Sequence, residues 1–271
     1  MSTKPLTYAI TPHTLNPLAE SLKAEYLVAE PFPHTVIDNF LSPTVLEEVL
    51  AEFPEPQAMQ WRRFSNKSEK KLASTSEQQL GPATRFLLYQ LNSGTFIDFL
   101  EKLTGIEGLI PDPHFLGGGL HQIETGGYLK IHADFNKHER LNLLRRLNVL
   151  IYLNQNWPEE YGGHLQLWDK EMKECKRKVL PIFNRCVIFN TDTFSYHGHP
   201  DPLTCPEDRF RRSLALYYYT SQTFDTENFT NHSTLFQERT GELLKEDVSL
   251  KTQFKTVLKK CVPPIFIDLL K

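Results

Sequence analysis

From Gly117 onward the chain is built from short β-rich runs separated by turn residues, and this pattern limits the possible folds more than any other feature. The runs are "GLHQIET", "YLKIHAD", "RLNVLIYLN", "GHLQLWD", "KVLPI", "RCVIFN", "SYHGH" and "SLALYYYT". Many short strands at regular spacing are typical of an all-β sandwich or barrel. We therefore predict a β core over about residues 117–220.

Helical patterns flank this core. In "SPTVLEEVLAEFP", Ser42 stands at a capping position and Pro43 at the first helical position. Residues 81–104 form a second helical block, whereas the polar and basic residues 61–79 are expected to form an exposed loop. We predict a mainly β protein with helical N-terminal support and a helical C-terminal tail. Its parts are a lead-in over 1–30, a domain over 31–220 and a helical extension over 221–271.

The composition is that of an ordinary globular protein. The 271 residues carry a formal net charge of -3, with 40% hydrophobic and 23% charged residues. This balance does not favour nucleic acid or an anionic membrane as a partner, and no apolar run is long enough to span a bilayer. The four cysteines show no CxxC spacing, and the first residues lack the apolar run of a signal peptide. We expect a cytoplasmic protein, and the oligomeric state stays open.

A histidine and an aspartate stand two residues apart in "KIHAD". If this run is a strand, His132 and Asp134 point to the same face and can bind one metal ion together. A third ligand must come from a distant strand, and "FSYHGHPDP" offers both His197 and His199. Two histidines and one carboxylate form the facial triad of non-haem Fe(II) oxygenases. An isolated HxD pair is more often a polar strand end, and we interpret His138 as a solvated loop histidine.

A later strand adds a cation to this set. In "RFRRSLALYYYT", Arg211 and Ser213 share one face, whereas Arg212 points to the other. The order of HxD, a distant histidine and RxS resembles the 2-oxoglutarate and Fe(II)-dependent dioxygenases, most closely their prolyl-4-hydroxylase-like branch. The run "PFPHTVIDNFL" is also similar to the N-terminal segment of that branch, so the resemblance extends over about residues 31–220.

The resemblance implies a fold and a metal site. The fold is a double-stranded β-helix, or jelly roll. The iron ligands are His132, Asp134 and His197, because the family pattern places the histidine first and a turn after it. The cofactor is Fe(II), with 2-oxoglutarate and O2 as cosubstrates and ascorbate as a candidate reductant. Related halogenases replace the carboxylate ligand by a small residue, so the presence of Asp134 favours hydroxylation.

The resemblance also implies a cosubstrate pocket. Arginine binds a carboxylate bidentately and keeps its charge, which suits Arg211 to the distal carboxylate of 2-oxoglutarate, with Ser213 beside it. Relatives place a tyrosine on the strand that corresponds to "RLNVLIYLN", where Tyr152 stands; a purely structural role for this ring is the alternative. Asn148 lies four residues earlier and is expected to line the same pocket.

Substrate choice is expected to come from loops over the barrel mouth. The charged segments "WRRFSNKSEKK" and "FNKHERLNLLRR" are candidates, and Arg145 and Arg146 either hold a substrate or face solvent. His121 or Gln122 stands where relatives often place a tyrosine. The branch implies hydroxylation of a prolyl residue in a protein or peptide. The alternatives are a hydroxylase of a free amino acid or another small metabolite, and a non-catalytic β-helix binding module.

Overall fold

A computed structural model describes residues 8–221, 231–239 and 242 of the chain. The α-helices in these residues are α1 (Pro12–Val28), α2 (Pro43–Ala51), α3 (Pro82–Leu91) and α4 (Gly94–Thr104). The strands are β1 (His34–Ile37), β2 (Arg62–Ser65), β3 (Glu69–Ala73), β4 (Ile110–Pro111), β5 (Gly119–Ile123), β6 (Tyr128–Ala133), β7 (Lys137–His138), β8 (Leu143–Tyr152), β9 (Leu165–Trp168), β10 (Cys175–Val179), β11 (Cys186–Asn190), β12 (His197–His199), β13 (Arg211–Thr220) and β14 (Leu235–Phe236).

The strands form one antiparallel sheet that nearly closes into a barrel. Its order is β1-β11-β8-β13-β5-β3-β6-β12-β9-β10, with β2, β4, β7 and β14 as side branches. Strand β3 joins the two halves because it pairs with both β5 and β6. This arrangement, a jelly-roll-like barrel supported by helices, confirms the predicted fold class.

The two central strands, β8 and β13, separate two environments. Alternate side chains lie in the core under the helices, and the residues between them point into the barrel, as the period of two in a strand requires. The residues facing the helices are Leu147, Val149 and Ile151 on β8 and Leu214, Leu216 and Tyr218 on β13. The interior therefore receives Tyr152 and Asn148 from β8 and Arg211 and Ser213 from β13.

Capping hydrogen bonds, a glycine and a proline mark the ends of the helices. The carboxylate of Glu52 caps α3, since its Oε1 accepts the N–H of Thr84 at 2.6 Å. Helix α4 ends at Gly105, which adopts φ 71° and donates its N–H to Glu101 O at 2.8 Å. Pro43 stands in the first turn of α2, but the Ser42 side chain makes no capping hydrogen bond. These ends aim the apolar helix faces at the sheet.

The structure adds detail to two expectations about the N-terminal half. The lead-in over 1–30 contains α1, capped by Thr11, which buries Leu15, Ala19 and Tyr26 against the same core. The block over 81–104 is two helices, because the chain turns at Asn92 between α3 and α4. The apolar residues of α1 that pack in or against this core follow helical spacing: Leu15, Leu18, Ala19, Leu22 and Tyr26.

The segment expected to be an exposed loop at 61–79 is mostly a hairpin. Strands β2 and β3 pair with each other, and β3 also pairs through Leu72 with Gln122 and through Glu69 with Leu129. Backbone hydrogen bonds to two strand edges hold β3 in place. The polar side chains of this segment give no sign of that pairing.

Most of the predicted helical extension over 221–271 lies outside the described residues. Its described part includes β14, in which Leu235 pairs with Ala133 and Phe236 with His132 on β6. Among the described residues, no helix has both the length and the apolar character needed to cross a membrane.

Candidate active site

The structure brings three distant side chains together inside the barrel. Strands β6 and β12 pair so that His132 lies opposite His197, and Asp134 follows two residues after His132. One nitrogen or oxygen of each of the three lies within 4.8 Å of the others. We call these three residues the metal cluster. They are the ones that the sequence pattern predicts, and their role as iron ligands is a proposal.

Hydrogen bonds set the tautomers of the two histidines. Nδ1 of His132 lies 2.8 Å from Lys130 O, and Nδ1 of His197 lies 2.8 Å from Ser195 O. A carbonyl oxygen only accepts, so each Nδ1 carries a proton and a neutral ring leaves a lone pair on Nε2. Burial lowers the pKa of His132 and keeps that ring neutral.

The free lone pairs point at the carboxylate of Asp134. Nε2 of His132 lies 3.5 Å from Oδ1, and Nε2 of His197 lies 3.3 Å from Oδ2. Acceptor atoms that face one another in a buried site repel unless a cation lies between them. Two imidazole nitrogens and a carboxylate oxygen are a donor set for Fe(II), so the residues present fit the metal that the sequence implies.

The side chains of Asn148 and Arg145 hold the carboxylate of Asp134 in place. Its Oδ2 accepts hydrogen bonds from Nδ2 of Asn148 at 2.7 Å and forms an ion pair with Nη2 of Arg145 at 3.0 Å. Burial opposes ionisation, but the positive charge of Arg145 outweighs it and holds the pKa of Asp134 well below its usual range. The carboxylate is therefore charged, and its Oδ1 is the oxygen left for a cation.

Arg145 lies inside the barrel and not at its mouth, which corrects both expectations for it. Its side chain is 3% exposed, and its guanidinium stacks on Tyr217 at 3.5 Å from the ring centre. A bulge in β8, where Leu147 pairs with Tyr218 but Arg145 pairs with Tyr219, turns Arg145 to the inner face. Asn148 faces the interior as predicted, but its amide is bonded to Asp134 and Arg145.

A second buried charge lies near the cluster. Arg211 is 5% exposed, donates from Nε to Gly163 O at 2.8 Å and from Nη2 to the Tyr152 hydroxyl at 3.2 Å. No carboxylate of the described residues forms an ion pair with it, and burial lowers the pKa of the guanidinium. A buried cation without a counter-ion is costly, so this site fits an anionic ligand such as the distal carboxylate of 2-oxoglutarate.

The neighbours of Arg211 on β13 lie where the alternation predicts. Ser213 pairs with Tyr152 and shares the inner face with Arg211. Arg212 points the other way, donating from Nε to Gln122 at 2.8 Å and pairing with Glu55 at 3.1 Å. The strand thus presents a single arginine to the interior near Tyr152.

Two further histidines face the same interior. His121 donates from Nε2 to Gly117 O at 2.9 Å, and burial, followed by the charge of Lys71, lowers its pKa to about 3. His199 is 3% exposed, and burial, followed by the charge of Arg211, lowers its pKa well below the usual value. Both rings are therefore neutral side chains of the interior.

His138 is also buried, which overturns its interpretation as a solvated loop histidine. Its side chain is 1% exposed, its Nδ1 accepts the N–H of Leu141, and its Nε2 lies 3.3 Å from Asp112. The reason is β7, which pairs with β8 and folds the loop back so that His138 packs against Tyr219. The ring is not part of the metal cluster.

A cleft of about 320 Å³ opens onto His132 and Asp134. Its walls come from the β2–β3 hairpin, from the turn before β5 and from the segment around β14; they include Arg62, Phe64, Lys71, Leu116, Phe135 and Thr234. The Phe236 ring lies 5.5 Å from that of His132 and covers one side of the cluster. Another cleft, of about 520 Å³, is lined by Asn154, Arg209 and Arg212, among others, and includes no residue of the metal cluster.

Sequence reasoning did not anticipate Lys71 as a cation of the interior, nor Arg145 as the partner of Asp134. Lys71 belongs to β3, and the polar residues around it carry no alternation that would mark a strand. Arg145 depends on a bulge, which no local pattern marks. Both positions are set by pairing with strands far away in the chain.

Known proteins resemble this chain in sequence. Residues 118–219 match the 2OG-Fe(II) oxygenase superfamily. Mouse (Mus musculus) prolyl 3-hydroxylase OGFOD1 is 25% identical over 208 residues, which cover 73% of this chain and 35% of the mouse protein. The chain thus spans about a third of the length of this curated relative.

Solved structures share the fold. A prolyl hydroxylase from Trichoplax adhaerens, in complex with a peptide fragment of the hypoxia inducible factor oxygen degradation domain, has a TM-score of 0.55 and 20% identity. The match covers 76% of this chain and 91% of that one. HygX from Streptomyces hygroscopicus, with nickel, 2-oxoglutarate and hygromycin B bound, has a TM-score of 0.51 and 10% identity, covering 80% and 96%.

The metal cluster predicts which substitutions remove a metal ion. Substituting Ala for His132, Asp134 or His197 should weaken Fe(II) binding by more than about a hundredfold, since loss of an outer-shell partner alone costs about 10–100-fold. His199→Ala should still bind one ion. Anaerobic Fe(II) titration with metal analysis checks this. Loss of binding in His199→Ala but not in His197→Ala would overturn the assignment.

The ion pair between Arg145 and Asp134 predicts different losses of stability when two adjacent arginines are replaced. Arg145→Met should destabilise the metal-free protein by about 3–5 kcal/mol, because it leaves a buried carboxylate with one partner fewer. Arg146 is half-buried, with a weak contact to Thr220 at 3.4 Å, so Arg146→Met should cost less than about 1 kcal/mol. Urea unfolding measures both, and equal losses would contradict the role of Arg145.

Proposed function

We propose that this chain, whose residues 118–219 match the 2OG-Fe(II) oxygenase superfamily, is a hydroxylase that uses Fe(II), 2-oxoglutarate and O2. The observation that carries the proposal is the metal cluster. Two imidazoles, each with its Nδ1 on a backbone carbonyl, and a charged carboxylate converge in a buried site with Nε2 of each ring facing the carboxylate. Such a buried group of facing acceptor atoms would be unfavourable if no cation bound there.

Each buried side chain has a proposed part in the reaction. When bound, iron and 2-oxoglutarate supply the oxidising chemistry that places one atom of O2 into a C–H bond, with release of succinate and CO2. His132, Asp134 and His197 would hold the iron, and Asn148 with Arg145 would keep Asp134 in place. The chain's own contribution is binding, orientation and exclusion of water.

Arg211, Ser213 and Tyr152 would hold 2-oxoglutarate through its distal carboxylate. The guanidinium needs an anion, and the Tyr152 hydroxyl, which accepts a hydrogen bond from Arg211, can donate its own proton to the same carboxylate. The pocket lies on the inner face of β8 and β13, where Ser213 and Tyr152 are paired residues. We propose that the oxygenase domain extends over residues 31–220, as expected from the sequence.

We propose a prolyl residue of a protein or peptide as the target. The support is the likeness to a mouse prolyl 3-hydroxylase and the fold shared with a peptide-bound prolyl hydroxylase. The cleft above the cluster is open to a chain of residues, since its walls come from separate segments with both apolar and charged side chains. A small-molecule target is the second candidate, favoured by the fold shared with HygX, which was solved with hygromycin B.

The cosubstrate site predicts unequal roles for Arg211 and Arg212. Arg211→Met should weaken 2-oxoglutarate binding by roughly ten- to a hundredfold, which corresponds to a charge-assisted contact of about 1.5–3 kcal/mol. Arg212→Met is the matched control, because that side chain pairs with Glu55 on the other face. Calorimetric titration of the Mn(II)-loaded protein measures both affinities. Equal losses would contradict the assignment of the two faces.

Turnover decides between the enzyme and a non-catalytic binding module. With Fe(II) bound, we expect slow conversion of 2-oxoglutarate to succinate, stimulated by the true substrate, and no conversion by Asp134→Ala. Proline-containing peptides should be assayed first, with free proline, other amino acids and small metabolites in parallel. The readouts are succinate release and the gain of one oxygen atom by mass. Coupling to a small metabolite alone would overturn the peptide target, and no turnover at all would favour the binding module.

A further inference from the structure

His199 is a buried histidine whose ring has no hydrogen-bond partner among the described residues. The side chain is 3% exposed, and both Nδ1 and Nε2 are shielded from solvent without a donor or acceptor in reach. A buried polar group without a partner costs free energy, so native proteins retain few of them. The ring therefore marks a place where a polar partner is to be expected.

The ring lies in the barrel interior. His199 ends β12 and pairs with Leu129 on β6, which lines the cleft above the metal cluster. On its other side β12 pairs with β9, where Gly198 lies opposite Gln166, and Gly163, three residues before Gln166, accepts a hydrogen bond from Arg211. Burial, followed by the charges of Arg211 and Lys71, lowers the pKa of the ring. Lys71 already pairs with Glu69 at 3.1 Å, whereas Arg211 has no acidic partner among the described residues. His199 and Arg211 are thus two donors without an anion in one buried region.

A ligand with only acceptor atoms would satisfy both side chains at once. A carboxylate accepts several hydrogen bonds, and bonds to a charged acceptor are stronger than those between neutral groups. We propose that His199 binds 2-oxoglutarate, donating a ring N–H to the distal carboxylate that Arg211 holds. This inference rests on the proposed function and adds a fourth side chain to Arg211, Ser213 and Tyr152.

The test separates binding from stability. In calorimetric titrations of the Mn(II)-loaded protein with 2-oxoglutarate, His199→Leu should weaken the affinity about tenfold. The thermal unfolding midpoint of the same variant, without metal or ligand, should not fall, because the ring has no hydrogen bond to lose. His199→Asn and His199→Gln keep a donor near Nδ1 and Nε2 respectively, and one of them should restore most of the affinity.

His138→Leu is the matched control. His138 is also buried, but its Nδ1 accepts a hydrogen bond from the N–H of Leu141, and its Nε2 lies 3.3 Å from a carboxylate oxygen of Asp112. This variant should lower the unfolding midpoint and leave 2-oxoglutarate affinity within about twofold of the parent, the opposite of the His199 pattern.

Each result has one meaning. If the parent protein does not bind 2-oxoglutarate at all, the proposed function fails. If the parent binds it and His199→Leu binds it equally well, only the role of His199 is overturned. If His199→Leu weakens binding and neither the Asn nor the Gln variant restores it, the ring acts by packing, and the proposed hydrogen bond is wrong.

Discussion

The alternation of side chains along the paired strands β8 and β13 is the constraint on which the rest of the molecule depends. One face carries the aliphatic core that the helices cover, and the other carries the polar groups of the interior. Inserting one residue in either strand would exchange the two faces. The bulge near Tyr219 departs from this rule, and its effect is to turn Arg145 inward to Asp134.

Buried charge is compensated by a counter-ion in one part of the interior and not in another. Asp134 and Arg145 neutralise each other at 3.0 Å, so this pair has no net charge before a cation enters. Arg211 has no such counter-ion among the described residues. A divalent cation alone would add two positive charges to the one on Arg211, whereas a divalent cation and a dianionic keto acid bound together would add no net charge. The interior is therefore better suited to both groups than to the cation alone.

The sequence predicts what depends on neighbouring residues. The strands and the shared face of Arg211 and Ser213 follow from a period of two, and the structure agrees with them. It also brings together the three residues that the sequence pattern indicates for the metal cluster. What depends on distant pairing could not be predicted: β3 is held by two strand edges, Arg145 is turned by a bulge, and His138 is buried by β7. In each case the side chain is polar and the deciding contact is a backbone pairing made elsewhere.

Because β14 pairs with β6, a segment that follows β13 in the chain helps to enclose the metal cluster. Phe236 packs beside His132, and Thr234 forms part of the cleft wall, although both follow the last strand of the barrel. Every residue proposed to hold iron or 2-oxoglutarate precedes Thr220, so a version shortened at that point would keep all of them. It would nevertheless lose the aromatic cover of His132 and admit water to that side of the cluster. A fragment that keeps the metal cluster shielded from water must therefore include β14, although every residue proposed to bind iron or 2-oxoglutarate lies before it.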